Sequence, residues 1–184
     1  LAITCLLAAL LTAGCSKKSN PAPGGNNNTG PATPVWDPNA MRGIWITTTG
    51  STVLDSRENI RSAMQACKAA NINHVFVVVY NNARTTYPSQ VMQNLIGIPI
   101  LERFAGRDPL REIVDEGHAA GLKVHAWFEY GFSSSYSAGG GPIVAARPHW
   151  AARDAGGNLA VKNGFDWLNA FHPEVQQFLI DLFK

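Results

Sequence analysis

Residues 75–79 read VFVVV, five consecutive aliphatic or aromatic side chains with no polar residue among them. A half-exposed strand alternates apolar and polar residues, whereas a strand buried on both faces is apolar throughout. The run therefore predicts a central strand of a parallel β-sheet. Because parallel strands need helical crossovers between them, it also predicts an α/β fold.

The residues before this run have the pattern of a strand followed by a helix. Residues 43–48 (GIWITT) are β-branched or aromatic for the most part, which predicts a first strand. Residues 55–71 have apolar side chains at helix spacing. Asp55 is placed to cap this helix, with Glu58 as the partner in a capping box. One β/α unit thus precedes the apolar run.

Two further helices and one further strand are predicted after the run. Asp108-Pro109 supplies an N-cap and a first-turn proline, and Gly121 ends that helix. Residues 122–129 (LKVHAWFE) form the third strand, and His172-Pro173 opens the last helix. The connection of residues 130–170 has no clear periodicity, and a connection of that length is usually functional.

This order of elements predicts the N-terminal portion of a TIM (β/α)8 barrel. About three β/α units are present after residue 41, whereas a whole barrel takes about 250 residues. The chain ends at Lys184 while the last helix is still in pattern, so we expect a barrel truncated at its C-terminus. The alternative is a small complete α/β domain with three strands.

The N-terminal 13 residues (LAITCLLAALLTA) are apolar, but a membrane-spanning helix needs roughly 20 such residues. They are followed by Gly14-Cys15, which resembles the lipobox of a bacterial lipoprotein signal. We expect residues 1–14 to be an incomplete signal peptide, lacking Met and a charged start, and Cys15 to be lipidated. A buried apolar helix is the alternative.

Residues 15–40 are predicted to be a disordered tether between the lipid and the domain of residues 41–184. Residues 19–34 consist only of Ser, Asn, Pro, Ala, Gly and Thr, which cannot bury an apolar core. A flexible coil of this length would reach about 25–30 Å from a membrane. Ser16 is not acidic, so among the envelope locations we prefer the outer membrane.

Composition excludes several classes of function. Of 184 residues, 15 are Lys or Arg and 13 are Asp or Glu, and the small net charge of +2 is not gathered into a basic stripe. Nucleic-acid binding is therefore not expected. Only Cys67 remains in the folded part, so a disulfide framework and a thiolate zinc site are excluded. The five His residues show no metal-type spacing, and we expect no metal site and no cofactor.

Several short motifs together resemble the glycosyl-hydrolase-like family 10 over residues 41–184. The HAW strand and the HPEV helix start are the most specific of them in combination. The motifs are MRGIW at 41–45, YPS at 87–89, GLKVHAWF at 121–128, PHW at 148–150, DAGG at 154–157, WLN at 167–169 and HPEV at 172–175.

The resemblance implies a TIM-barrel glycoside hydrolase on an exported or lipid-anchored bacterial protein. Its substrate would be an envelope or extracellular polysaccharide, with peptidoglycan among the candidates, so a carbohydrate polymer is the expected partner. In similar barrels the catalytic carboxyl groups come from the fourth strand onward, which implies that this stretch lacks them. A glycan-binding lipoprotein without catalysis, and a purely structural envelope lipoprotein, are the alternatives.

The third strand carries the main candidate site residues. Alternation places His125, Trp127 and Glu129 on one side of the strand. An aromatic ring can lie against a pyranose while polar groups bind its hydroxyls, so this face is predicted to bind substrate. Glu129, at the strand end, is the one catalytic candidate. His125 and Trp127 have a second interpretation as interior barrel residues.

Further binding candidates lie at two other element ends. Tyr80, Asn81 and Arg84 follow the second strand, where substrate binding and plain loop structure are equally supported. Asn169 and His172 flank the last helix, where helix capping is the alternative to binding. The glycine-rich stretch of residues 133–141 lacks the features of a phosphate loop and is predicted to be a mobile lid or a linker.

Overall fold

The computed structural model describes Asp37 and residues 40–184. The predicted signal peptide, the lipidation site at Cys15 and almost all of the tether lie outside the described residues. Within the described part of the chain, none of the helices has the length and apolar character that crossing a bilayer requires.

A sheet with three parallel strands forms the centre of the domain. The first strand, β1 (Gly43–Ile46), and the fourth, β4 (Lys123–Phe128), pair in parallel with the second, β2 (His74–Asn81). The short β3 (Arg84–Thr85) turns back on β2 as an antiparallel hairpin. The predicted α/β fold with a parallel sheet is confirmed, and β2 is its central strand as the VFVVV run indicated.

Two helices cover one face of this sheet. Helix α1 (Arg57–Ala69) and helix α3 (Pro109–Ala119) bury Ile60, Met64 and Ile113 in one core cluster with the valines of β2. The other face carries a row of stacked rings from the three strands. Phe76 lies between Trp45 and His125, with ring centroids 4.9 and 4.8 Å away.

Helix α1 begins two residues later than predicted, because Ser56 caps it instead of Asp55. The Ser56 hydroxyl accepts a hydrogen bond from the Asn59 backbone N–H at 3.0 Å. Asp55 belongs to the preceding 3-10 turn, Val53–Asp55, so its carboxylate is out of position for this role. Both residue types are good caps, and the turn decides between them.

Helix α2 (Gln90–Ile96) was not predicted from the sequence. It has only seven residues, which is too short for apolar periodicity to be recognisable. Its two ends carry ordinary signals. Ser89 accepts from the Met92 N–H at 3.3 Å, and Gly97 ends the helix in a left-handed conformation with φ 75°.

The connection of residues 130–170 is folded, and residues 133–141, which were predicted to be a mobile lid or a linker, contain a strand and the start of a short helix. It contains a second sheet of three antiparallel strands in the order β5–β7–β6, and a short helix, α4. Serines 133–135 of β5 are buried, and Asp166 accepts hydrogen bonds from Ser135 Oγ and from the Gly140 N–H. The bounds are β5 Ser133–Tyr136, α4 Gly141–Ala146, β6 Val161–Lys162 and β7 Phe165–Trp167.

The last helix, α5 (Pro173–Phe183), has the predicted apolar stripe. Val175, Phe178, Leu179 and Leu182 are all buried in a second core cluster. Members of α2, α4 and the end of β2 share this cluster. Ile143, Trp150 and Leu168 of the connection belong to the same cluster, so this second core joins the inserted unit to α5.

Candidate functional site

The carboxyl ends of the parallel strands border a cleft of about 320 Å³. Thr49 follows β1, Asn81 ends β2, and Glu129 follows β4. Sites in α/β barrels lie at this edge because the loops after the strands meet there. The lining residues are Thr49, Asn81, Asn82, Glu129, Tyr130, Tyr136 and Phe165.

A β-bulge near the end of β2 determines which side chains reach the cleft. Val78 pairs with Trp127, but Tyr80 pairs with Phe128, so β2 has one extra residue at this point. The extra residue reverses the alternation beyond it. Tyr80 now shares a face with Phe128, and its ring lies in the core. Asn81 shares a face with Glu129.

Asn81 and Glu129 form a hydrogen-bonded polar pair. Asn81 Nδ2 donates to Glu129 Oε2 at 2.5 Å. Partial burial raises the pKa of the Glu129 carboxyl, and the bond from Asn81 opposes that rise. Within the described part of the chain, Asn81 Oδ1 is buried and accepts no hydrogen bond. A hydroxyl donor on a ligand would satisfy this oxygen, and an unpaired buried acceptor is otherwise destabilising.

Three aromatic rings also line the cleft, and we call Tyr130, Tyr136 and Phe165 the aromatic wall. The Phe165 ring centroid lies 4.2 Å from that of Tyr130 and 5.1 Å from that of Tyr136. Both tyrosines are exposed, at 47% and 58%. Tyr130 has a φ of 51°, a strained value of the kind found at functional sites.

Sequence reasoning did not identify the aromatic wall. Tyr136 and Phe165 lie on β5 and β7, in the connection that was interpreted as unstructured. Tyr130 directly follows Glu129 at a strand end, and that position was the one available signal. The other two rings reach the cleft only through the pairing of β5 with β7, which joins Tyr136 to Phe165.

His125 and Trp127 do not line the cleft, although they were predicted to bind substrate. His125 lies further down β4, where it stacks on Phe76 and forms a hydrogen bond of 2.8 Å with His74 Nδ1. Trp127 is half-buried against the main core cluster. Of the three residues on that strand face, only Glu129 is close enough to the strand end to reach the site.

Tyr80 was also predicted to bind substrate, and its position in the structure corrects this. The side chain is completely buried, with its ring centroid 6.2 Å from that of Phe128 and 6.4 Å from that of Phe178. Its hydroxyl donates to the Ser133 carbonyl at 3.5 Å, and burial raises the pKa of the phenol. Tyr80 is a core residue because of the bulge.

The remaining candidates have structural partners outside the cleft. Arg84 forms an ion pair with Glu102 at 3.0 Å and lies in an adjoining pocket of about 100 Å³, which shares Asn81 with the cleft. Asn169 Oδ1 accepts from the Phe171 N–H, and His172 Nδ1 caps α5 by accepting from the Glu174 N–H. For the last two, capping and turn formation are the roles the structure supports.

The His74–His125 pair predicts an acid-sensitive fold. Burial first, and then the charges of Lys123, His125 and Arg42, lower the pKa of His74 below its ordinary value. The stability that depends on neutral His74 is therefore present above the ordinary histidine pKa, near 6.5, and is lost as the pH falls through the lowered value. We expect the urea concentration at the midpoint of unfolding to decrease as the pH is lowered from about 7 to about 5.

His125→Gln should reduce this pH dependence, because glutamine can bond to His74 without carrying a second positive charge. His118→Gln is the matched control, since His118 is exposed on α3 and has no such partner contact in the described structure. Equal pH dependence in the wild-type chain and in His125→Gln would contradict the assignment.

These features define the class of protein. A parallel α/β sheet with a polar cleft at the carboxyl ends of its strands is the arrangement found in (β/α)8 enzymes. The family model described as "Glycosyl hydrolase-like 10" matches residues 40–184. The chain belongs to this family, and the resemblance found in the sequence motifs is confirmed.

A curated relative supports the same assignment. Glycosyl hydrolase DigH of Escherichia coli K12 is 33% identical over 147 residues, which cover 67% of this chain and 33% of that protein. The same protein from Shigella flexneri matches equally well. The chain thus spans about a third of the length of the curated relatives it matches.

Solved structures show the fold. A hypothetical protein from Ruminiclostridium thermocellum has a TM-score of 0.57 at 16% identity, covering 76% of this chain and 67% of that chain. An alpha-amylase from Lactobacillus plantarum has a TM-score of 0.56 at 16% identity, covering 79% of this chain and 35% of that chain. The fold is therefore part of a TIM-barrel glycosidase type, and together with the family it supports a glycan-related function.

Proposed function

We propose that this chain is the N-terminal part of a glycoside hydrolase that acts on an envelope or extracellular polysaccharide, with peptidoglycan among the candidates. The observation that carries the proposal is the cleft itself. It combines the Asn81–Glu129 pair with the aromatic wall, at the edge of the sheet where barrel enzymes bind their substrates.

The polar and the aromatic side chains that line the cleft suit the two kinds of surface on a sugar. A pyranose ring has apolar C–H faces, which lie well against aromatic rings, and hydroxyl groups around its edge. The aromatic wall would contact such a face. Glu129 would accept hydrogen bonds from hydroxyl groups, and the unpaired Asn81 Oδ1 would accept another.

Catalysis would need a second positioned carboxyl group. Glycosidases use two, about 5–5.5 Å apart for retention and about 6.5–9.5 Å apart for inversion. Among the residues that line the cleft, Glu129 is the one carboxylate. We therefore assign Glu129 to sugar binding and propose that the catalytic pair is completed by later strands of the parent protein, because the matched part covers only 33% of the curated relative.

We place the protein in the bacterial cell envelope, anchored through lipid on Cys15 and facing the periplasm or the exterior. The apolar segment of residues 1–13, the adjacent Gly14-Cys15 and the polar tether support this location. The outer membrane is preferred because Ser16 is not acidic. The tether would let the cleft reach a polymer that lies some distance from the lipid surface.

Substitution in the aromatic wall tests the proposal. We expect Tyr136→Ala to weaken binding to isolated peptidoglycan about three- to tenfold, because one stacking contact contributes about 0.5–1.5 kcal/mol. Binding is measured by co-sedimentation of the full chain, and turnover by release of soluble fragments with the full-length parent. Phe171→Ala is the control, since Phe171 is 90% exposed and is not part of the cleft.

The outcomes separate three functions. Turnover by the parent with weaker binding in Tyr136→Ala supports the glycosidase. Binding by the parent without turnover of any glycan would favour a glycan-binding lipoprotein. If the parent neither binds nor cleaves any glycan, the proposal is overturned, and a structural envelope protein is the remaining alternative.

A further inference from the structure

Two histidines that are far apart in the sequence meet at the start of helix α5. His149 lies in the 3-10 turn Pro148–Trp150, and His172 is the N-cap of α5. Glu174, in the first turn of α5, completes the group. One ligand atom from each of the three side chains lies within 4.8 Å of the other two. None of the three lines the cleft described above.

The spacing of these groups is close to that of ligands on one tetrahedral zinc ion. With Zn–N distances of about 2.0–2.1 Å, neighbouring ligand atoms are about 3.3 Å apart and two bound imidazole centroids about 5 Å apart. Here His149 Nε2 lies 3.0 Å from Glu174 Oε2, and the two imidazole centroids are 5.4 Å apart. The three ligand atoms lie within 4.8 Å of one another, so side-chain rotation is needed to bring all three onto a common ion.

A buried tryptophan holds the carboxylate in place. Trp150 Nε1 donates to Glu174 Oε2 at 2.7 Å, and the Trp150 side chain is 6% exposed. Metal ligands are commonly oriented by such outer partners.

One existing contact would have to be given up. His172 Nδ1 accepts the Glu174 N–H at 3.2 Å, and a neutral imidazole has a single free lone pair. Coordination through either ring nitrogen therefore replaces this cap. The positive end of the helix also disfavours a cation, although the ionised Glu174 offsets part of that effect. Loss of the helix cap and the positive helix end both weaken metal binding. The affinity for the metal therefore has to come from its bonds to the three ligand atoms.

We propose that His149, His172 and Glu174 bind one divalent transition-metal ion, with zinc preferred. Two imidazoles and one carboxylate suit zinc, whereas calcium and magnesium require oxygen ligands. Three protein ligands leave a fourth position for water or for a group on another molecule. The expectation of no metal site rested on sequence spacing, and the fold brings together residues that are 23 positions apart.

The test uses the tag-free full chain, which is first treated with a chelator to remove bound metal. Zinc chloride is then titrated into it, and binding is measured by calorimetry. We expect one equivalent to bind at micromolar concentration. Addition of cobalt(II) chloride should give the visible absorption of a tetrahedral site without a thiolate charge-transfer band, because none of the three proposed ligands is a thiol. Helical circular dichroism of each variant confirms that it is folded.

The variants identify the ligands. His149→Gln and Glu174→Gln should each weaken zinc binding at least tenfold, and Trp150→Phe should weaken it about tenfold without removing a ligand. His118→Gln, at an exposed histidine of α3, should leave binding unchanged. The proposal is overturned if the wild-type chain does not bind zinc, or if His149→Gln and Glu174→Gln bind it as tightly as the wild-type chain does.

Discussion

Replacement of Tyr80 by alanine is expected to reduce the free energy of unfolding by about 3–5 kcal/mol, the usual range for removing a buried aromatic side chain. The Tyr80 ring is fully buried between Phe128 and Phe178, where the end of β2 meets α5. Its loss leaves a cavity at the junction of sheet and helix. Because small domains have about 5–15 kcal/mol of stability, this loss would be a large fraction of the total.

Tyr80→Phe is the matched control. It keeps the ring and loses only the hydroxyl, whose bond to the Ser133 carbonyl is long at 3.5 Å. We expect a loss of about 1 kcal/mol or less, measured by urea unfolding with circular dichroism, and no change in glycan binding. If Tyr80→Phe weakened glycan binding at unchanged stability, the hydroxyl would contact substrate and the position assigned to Tyr80 would be wrong.

Tyr80 also illustrates where prediction from the sequence reaches its limit. The VFVVV run predicted the central strand correctly, because burial on both faces leaves a pattern in the residues themselves. The β-bulge that follows this run leaves no recognisable pattern in the sequence, because it depends on pairing with Trp127 and Phe128 of β4. A single extra residue reverses the faces beyond it, so the sequence could not decide which of the adjacent candidates Tyr80 and Asn81 faces the site.

The inserted sheet escaped prediction for a different reason. Its strand β5 (Ser133–Tyr136) has a core made of serines, and hydrophobic periodicity cannot detect a polar buried strand. Burial of Ser134 and Ser135 is made possible by Asp166, on a strand some thirty residues later, which accepts from Ser135 Oγ through its carboxylate and from Ser134 Oγ through its backbone carbonyl. The strand pairing and the aromatic wall it presents are long-range properties of the fold.

The family could be recognised from the sequence, whereas the composition of the site could not. Short motifs such as HAW and HPEV are local, and they identified the glycosyl-hydrolase-like family correctly. Of the eight binding candidates, Asn81 and Glu129 line the cleft. They were found because both lie at the ends of parallel strands, which is a property of the chain order and not of distant pairing.

The second large effect is expected at Glu129 in the full-length parent protein. Glu129→Ala should raise the KM for glycan about 10- to 100-fold, because hydrogen bonds to a charged group contribute about 1.5–3 kcal/mol. It also leaves Asn81 Nδ2 without its acceptor. Glu129→Gln keeps one acceptor oxygen and should raise KM by less. In both variants kcat should change little, since Glu129 is assigned to binding.

The split between KM and kcat is what decides the role of Glu129. A fall in kcat of about 100-fold or more in Glu129→Gln, with KM unchanged, would make Glu129 a proton-transfer group and would contradict the binding assignment. Glu58→Gln is the control, because Glu58 is an exposed carboxylate on α1 that pairs only with Arg61 in the described structure. It should leave both parameters as they are.

Glu129→Gln should make the fold more stable while it weakens glycan binding. Burial raises the pKa of the Glu129 carboxyl above its unfolded value, so the folded state binds that proton more tightly than the unfolded state does. Its contribution to stability is greatest below the ordinary carboxyl pKa and is lost as the pH rises through the raised value. At neutral pH, Glu129→Gln should therefore melt at a higher temperature than the wild-type chain, while binding glycan less well. A carboxylate kept at a destabilising position is consistent with a functional role there, and a lower melting temperature in Glu129→Gln would contradict that argument.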